Sequence, residues 1–92
     1  MNLAEYLAVM GVKAEAGEVC GVIKQALRDP AASPSELVDA LALSLNAKGA
    51  SVIADREDDG AAAAKVVAFL VERGELRIEG RRVSATEKFA GK

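Results

Sequence analysis

No histidine occurs among the 92 residues, so the commonest general base and metal ligand is missing. Neither a serine–histidine nor a cysteine–histidine nucleophile can be assembled without it. No glycine-rich phosphate loop follows a strand pattern, and every pair of carboxylates falls where a helix cap or a solvated helix face is expected. These residues point away from an enzyme, and no cofactor or metal is expected. The nearest approach to a metal site is Asp55-Arg56-Glu57-Asp58-Asp59-Gly60, which opens like a calcium loop with acids at positions one, three and five and glycine at six. The twelfth position, where a bidentate glutamate is required, falls on Val66. A turn whose acids cap a helix N-terminus and complement its dipole accounts for the segment better. The single cysteine, Cys20, has no internal partner for a disulfide and lies among Val19, Val22 and Ile23, which predicts a reduced core thiol.

Charge offers more than nucleophiles do. The chain carries a net charge of −2, unevenly spread. Residues 1–60 hold 5 basic and 10 acidic side chains, giving −5, whereas residues 61–92 hold 7 basic and 4 acidic, giving +3. A basic end of this kind suits a polyanionic partner. Its basic residues are Lys65, Arg73, Arg77, Arg81, Arg82, Lys88 and Lys92. The opposing candidates are the acids Asp55, Glu57, Asp58 and Asp59, which suit a protein partner.

The elements that must position these residues follow from caps and periodicity. Asn2 caps a first helix over 3–10, with Glu5 at the reciprocal position; Leu3, Tyr6, Leu7 and Met10 share a face, and Gly11 ends it. A second helix is predicted over 14–28, ended by Asp29-Pro30, with Gly17-x-x-x-Gly21 read as a site of close helix packing. Ser33-Pro34-Ser35-Glu36 combines a serine cap, proline at the first helical position and glutamate at the third. It starts a helix over 34–48 that buries Leu37, Val38, Leu41 and Leu45. A short helix is expected at 51–57, a turn at Asp58-Asp59-Gly60, and a last helix at 61–73. That last helix is apolar nearly all round, with only the line through 61, 65, 68 and 72 open to water, so it should be the centre of the core.

Beyond Gly74, residues 75–79 and 82–86 alternate at the strand period about Gly80-Arg81. A two-residue turn sets Glu79 against Arg82, Ile78 against Val83 and Leu76 against Ala85, with both apolar pairs on one face. The expected architecture is thus one domain over 1–92, mostly α with a C-terminal β-hairpin, about five helices and two strands. Within it, 1–30 is expected to form a helical pair, 33–86 the unit that ends in the hairpin and 87–92 a loose tail. Nineteen alanines and only three aromatic residues (Tyr6, Phe69 and Phe89) make the core modest, and homodimerisation would help it. No apolar run approaches the roughly 18–20 residues of a membrane span, and no basic region precedes an apolar stretch at the N-terminus. A cytoplasmic location is expected.

The order helix, short helix, turn, longer helix, glycine and hairpin over residues 35–86 resembles the winged helix-turn-helix family. The most family-like stretch runs from Lys65 to Lys88, where a helix ends in Glu72-Arg73-Gly74 and leads into a basic wing followed by Thr86-Glu87-Lys88. The resemblance implies a DNA-binding regulator of bacterial or phage type, with the helix at 61–73 entering the major groove, Arg77, Arg81 and Arg82 touching phosphates or the minor groove, and Lys65 adding a backbone contact. Residues 61–64, however, are four alanines, which offer a base edge only methyl contact. The acids at 55–59 would also stand where phosphates approach. The alternative is a protein-interaction module, an adaptor or inhibitor, using those acids or the apolar surplus of the first two helices.

Overall fold

The computed structural model describes residues 1–12, 14–47 and 59–89. Two of its helices begin where side chains satisfy the first backbone donors. In α1 (Leu3–Met10) the Asn2 side chain accepts from the Glu5 N–H, and the Glu5 carboxylate accepts from the Asn2 N–H, both at 2.9 Å. Gly11 closes the helix in the left-handed region at φ 77°, where its N–H and that of Val12 reach back to Ala8 and Leu7 carbonyls. The same reciprocal cap starts α3 (Pro34–Ala47): Ser33 Oγ accepts from the Glu36 N–H at 3.1 Å, and Glu36 Oε1 accepts from the Ser33 N–H at 3.4 Å.

Between them α2 spans Ala16–Ala26, two residues shorter at each end than the sequence pattern predicts. Glu15 at its cap makes no side-chain hydrogen bond to it, and at the other end Asp29 folds back to accept from the Ala31 N–H at 2.9 Å. The Gly17/Gly21 expectation is corrected. Both glycines are exposed, and a Cβ added at either would meet nothing within 4 Å, so no neighbouring backbone explains them. The short helix expected at 51–57 lies outside the described residues.

The last helix, α4, covers Asp59–Glu72 and so begins two residues earlier than expected, with Asp59 and Gly60 in its first turn rather than in a loop. Ala62, Ala63, Val66, Val67 and Leu70 are buried, while Ala64, Lys65, Ala68 and Glu72 are exposed. The helix packs on α3, on α1 and on the first strand, and α2 completes the layer against α3. Ala62 and Ala63 therefore serve packing, because small buried side chains suit the close contact of α4 with α3.

The chain leaves α4 through Gly74, at φ 80°, into an antiparallel hairpin of β1 (Leu76–Glu79) and β2 (Arg82–Ala85). Its register is Leu76 to Ala85, Ile78 to Val83 and Glu79 to Arg82, as the alternation and the two-residue turn require. Leu76 and Val83 are buried, but Ile78, on the same face nearer the tip, is 43% exposed. The Val83 N–H does not point to solvent. It donates to the Ala32 carbonyl at 2.9 Å, which fastens the hairpin to the segment just ahead of α3.

Of the tail expected to be loose, residues 87–89 are held in place, and residues 90–92 lie outside the described residues. Thr86 Oγ1 donates to the Gly74 carbonyl, the Lys88 N–H returns to Thr86 Oγ1 at 3.2 Å, and Phe89 is only 4% exposed. One of the three aromatics of the chain thus closes the core beyond the hairpin, since burying a phenyl ring stabilises more than leaving it in water. Among the described residues, no helix is long and apolar enough to cross a membrane.

Candidate nucleic-acid interface

The three arginines predicted for contact all lie on the hairpin, and the hairpin is held firmly at its base. Glu75 is 7% exposed, and its Oε2 accepts from Arg73 Nε at 2.8 Å. Arg73 sits 5.5 Å from the centre of the Phe69 ring, and its Nη1 donates to the Met1 carbonyl. Phe69 in turn stacks on Tyr6 with centroids 4.1 Å apart. Backbone bonds from Thr86 N–H to the Glu75 carbonyl and from Val83 N–H to Ala32, both at 2.9 Å, complete the anchorage. The tip turns at Gly80, whose φ of 60° an L side chain rarely adopts.

On this support Arg77, Glu79, Arg82 and Ser84 share the outward face, because they alternate with Leu76, Ile78, Val83 and Ala85. Arg81 occupies the turn. All three arginines are exposed. Arg77 is engaged, with its Nη1 3.2 Å from Glu79 Oε1, and both side chains are about two-thirds exposed. Glu79 therefore pairs along its own strand, although its Cα partner across the hairpin is Arg82. The strand alternation that places 77 and 79 on one face was the available signal for this pair. Arg81 and Arg82 make no ion pair or side-chain hydrogen bond with the described residues.

Lys65 stands apart from the arginines, exposed in the first half of α4 and already engaged within the chain. Around it the exposed face of α4 offers only Ala64, Ala68 and Glu72. Among the acidic candidates, Asp55, Glu57 and Asp58 lie outside the described residues, and Asp59 is the first residue of α4.

Cys20 is half-buried rather than fully enclosed, in a pocket it shares with Leu3, Arg73, Glu75 and Lys88. Burial pushes its thiol pKa up, and the nearby Glu75 carboxylate adds to the rise. The thiol is thereby less nucleophilic than a free one, and its surroundings do not activate it.

No family model matches this chain, and no curated protein or solved structure matches it.

Proposed function

We propose that this chain is a small, non-enzymatic nucleic-acid-binding regulator of winged-helix type, which meets duplex DNA through its hairpin and not through base readout by α4. The observation that carries the reading is the pair Arg81 and Arg82. They are exposed guanidiniums without partners among the described residues, at the tip of a hairpin whose base is anchored in the core. Guanidinium groups suit phosphate oxygens, and a fixed support spares them part of the ordering cost of binding. The helix supports the same division of labour. Of the outward residues near its start, Ala64, Lys65 and Ala68, only Lys65 is polar and it is already engaged within the chain, so α4 offers little with which to read a base. Contacts confined to the backbone orient a protein on DNA without specifying sequence.

Fluorescence anisotropy on a labelled mixed-sequence duplex tests this. Affinity should fall with salt on a log–log slope of about −2, set by Arg81 and Arg82, since Lys65 and Arg77 are already engaged within the chain. Arg81→Ala/Arg82→Ala should make that slope shallower by about two and weaken binding to every sequence alike. Absence of binding at low salt, or a double variant that binds as the parent does, removes the reading.

A second reading, a protein-interaction module, draws on Val9, which lies 72% exposed on α1. A single exposed valine is ordinary on a protein surface, so this reading ranks second.

A further inference from the structure

β1 is an edge strand, and no described residue hydrogen-bonds to its outer side. The two-residue turn makes Glu79 and Arg82 a hydrogen-bonded pair, so the N–H and C=O groups of Ile78 and Val83 point away from the hairpin. Two bonds agree with this phase: Val83 N–H reaches outward to Ala32, and Thr86 N–H closes on Glu75, both at 2.9 Å. Val83 is thus covered, whereas no described residue bonds the backbone of Ile78 from outside. Its side chain is also the exposed exception among the inward-facing residues of the strands, at 43%. An unpaired edge beside an exposed β-branched side chain is a template for another strand.

The residues flanking Ile78 say which strand. Arg77 and Glu79 carry opposite charges on either side of it, both well exposed and held to each other only by a surface ion pair. We propose that β1 pairs antiparallel with β1 of a second copy of this chain, about a two-fold axis through Ile78. In that register Ile78 faces its counterpart and exchanges both backbone hydrogen bonds with it. Each Arg77 faces the other copy's Glu79, and the two isoleucines lie side by side on the inner face. Moving the pairing to the neighbouring registers sets Arg77 against Arg77 or Glu79 against Glu79, so the same charges that favour one alignment reject its neighbours. The interface is self-complementary, as a two-fold contact must be. It turns two hairpins into one four-stranded antiparallel sheet, a more stable unit than an isolated pair of strands. Its small area makes the dimer weak and concentration-dependent.

Sedimentation velocity over a concentration series up to about 1 mM, in the absence of nucleic acid, tests the proposal independently of the DNA reading. The unaltered chain should shift from monomer to dimer across the series. Arg77→Glu sets carboxylates against each other twice per dimer and should raise the dimer Kd roughly tenfold or more. Arg77→Glu/Glu79→Arg restores both pairs with their signs exchanged, and should bring the Kd back to within a few-fold of the parent. Ile78→Lys should leave only monomer. Circular dichroism establishes that each variant is folded, and the Arg77 variants keep the test independent of Ile78, which pairs across the hairpin with the buried Val83. A chain that stays monomeric throughout overturns the proposal, as does a dimer indifferent to Arg77→Glu and Ile78→Lys, or a double variant that fails to recover.

Discussion

Cys20 illustrates how a residue's chemistry depends on neighbours that are remote in sequence. Its own helix surrounds it with Val19, Val22 and Ile23, which predicts an inert thiol, but the carboxylate that further raises its pKa is Glu75, from the start of the hairpin. The thiolate is disfavoured twice, by burial and by charge, so Cys20 should react with Ellman's reagent at pH 8 more slowly than a free thiol. The rate should rise only at higher pH. The folded-state pKa lies above the unfolded one, so the corresponding stability is present below the unfolded pKa and is lost as pH rises through the folded value. Glu75→Gln removes the second cause and should speed the reaction. Equal rates for the parent, the variant and a small thiol would contradict this account.

Among the elements, glycine separates local from tertiary causes. Gly21 sits in the middle of α2, exposed, with open space where a Cβ would go. Gly21→Ala should therefore stabilise the chain by about 0.5–1 kcal/mol in urea unfolding, through helix propensity and a less flexible unfolded state. Gly74 is the reverse case. At φ 80° an alanine there is strained although the nearest atom, Lys88 Cδ, is 3.7 Å from the added Cβ, and Gly74→Ala should cost about 1–2 kcal/mol. The role of Gly74 as the break between helix and hairpin was readable from its position after the periodic run. The openness around Gly21 was not, because a sequence does not say which face of a helix a neighbour will cover. The helix boundaries show the same limit: α2 ends where the Asp29 side chain forms its own turn, and α4 starts at Asp59.

For the molecule as a whole, Phe89 and Arg73 join regions that local patterns treat as separate. The Phe89 ring is buried in the same core as Leu3, Leu37 and Leu70. Phe89→Ala should lower unfolding stability by about 3–5 kcal/mol, a large share of the roughly 5–15 kcal/mol typical of a domain. A midpoint unchanged in denaturant would show the ring to be dispensable. Arg73 ties the end of α4 to the Met1 carbonyl, 72 positions away, so the first helix helps to fix the direction in which the hairpin leaves the core. The net effect is a rigid hairpin on an alanine-rich helical body, with its free cations at the tip and its open edge along β1.

Both reciprocal helix caps, the left-handed stop at Gly11, the buried Leu37, Leu41 and Leu45 of α3 and the hairpin register down to its residue pairs were legible in the residue order, whereas Val38, expected to be buried with those leucines, is only partly so. Each rests on interactions a few positions apart, or on the strict two-residue alternation of strands about a short turn, and such patterns have few solutions. Long-range packing alone leaves Ile78 exposed while Leu76 and Val83 are buried, fastens β2 to Ala32, buries Glu75 beside Arg73 and returns Phe89 to the core. Those outcomes depend on where elements far apart in the chain come to rest. No residue's type or spacing encodes that placement until the helices have packed.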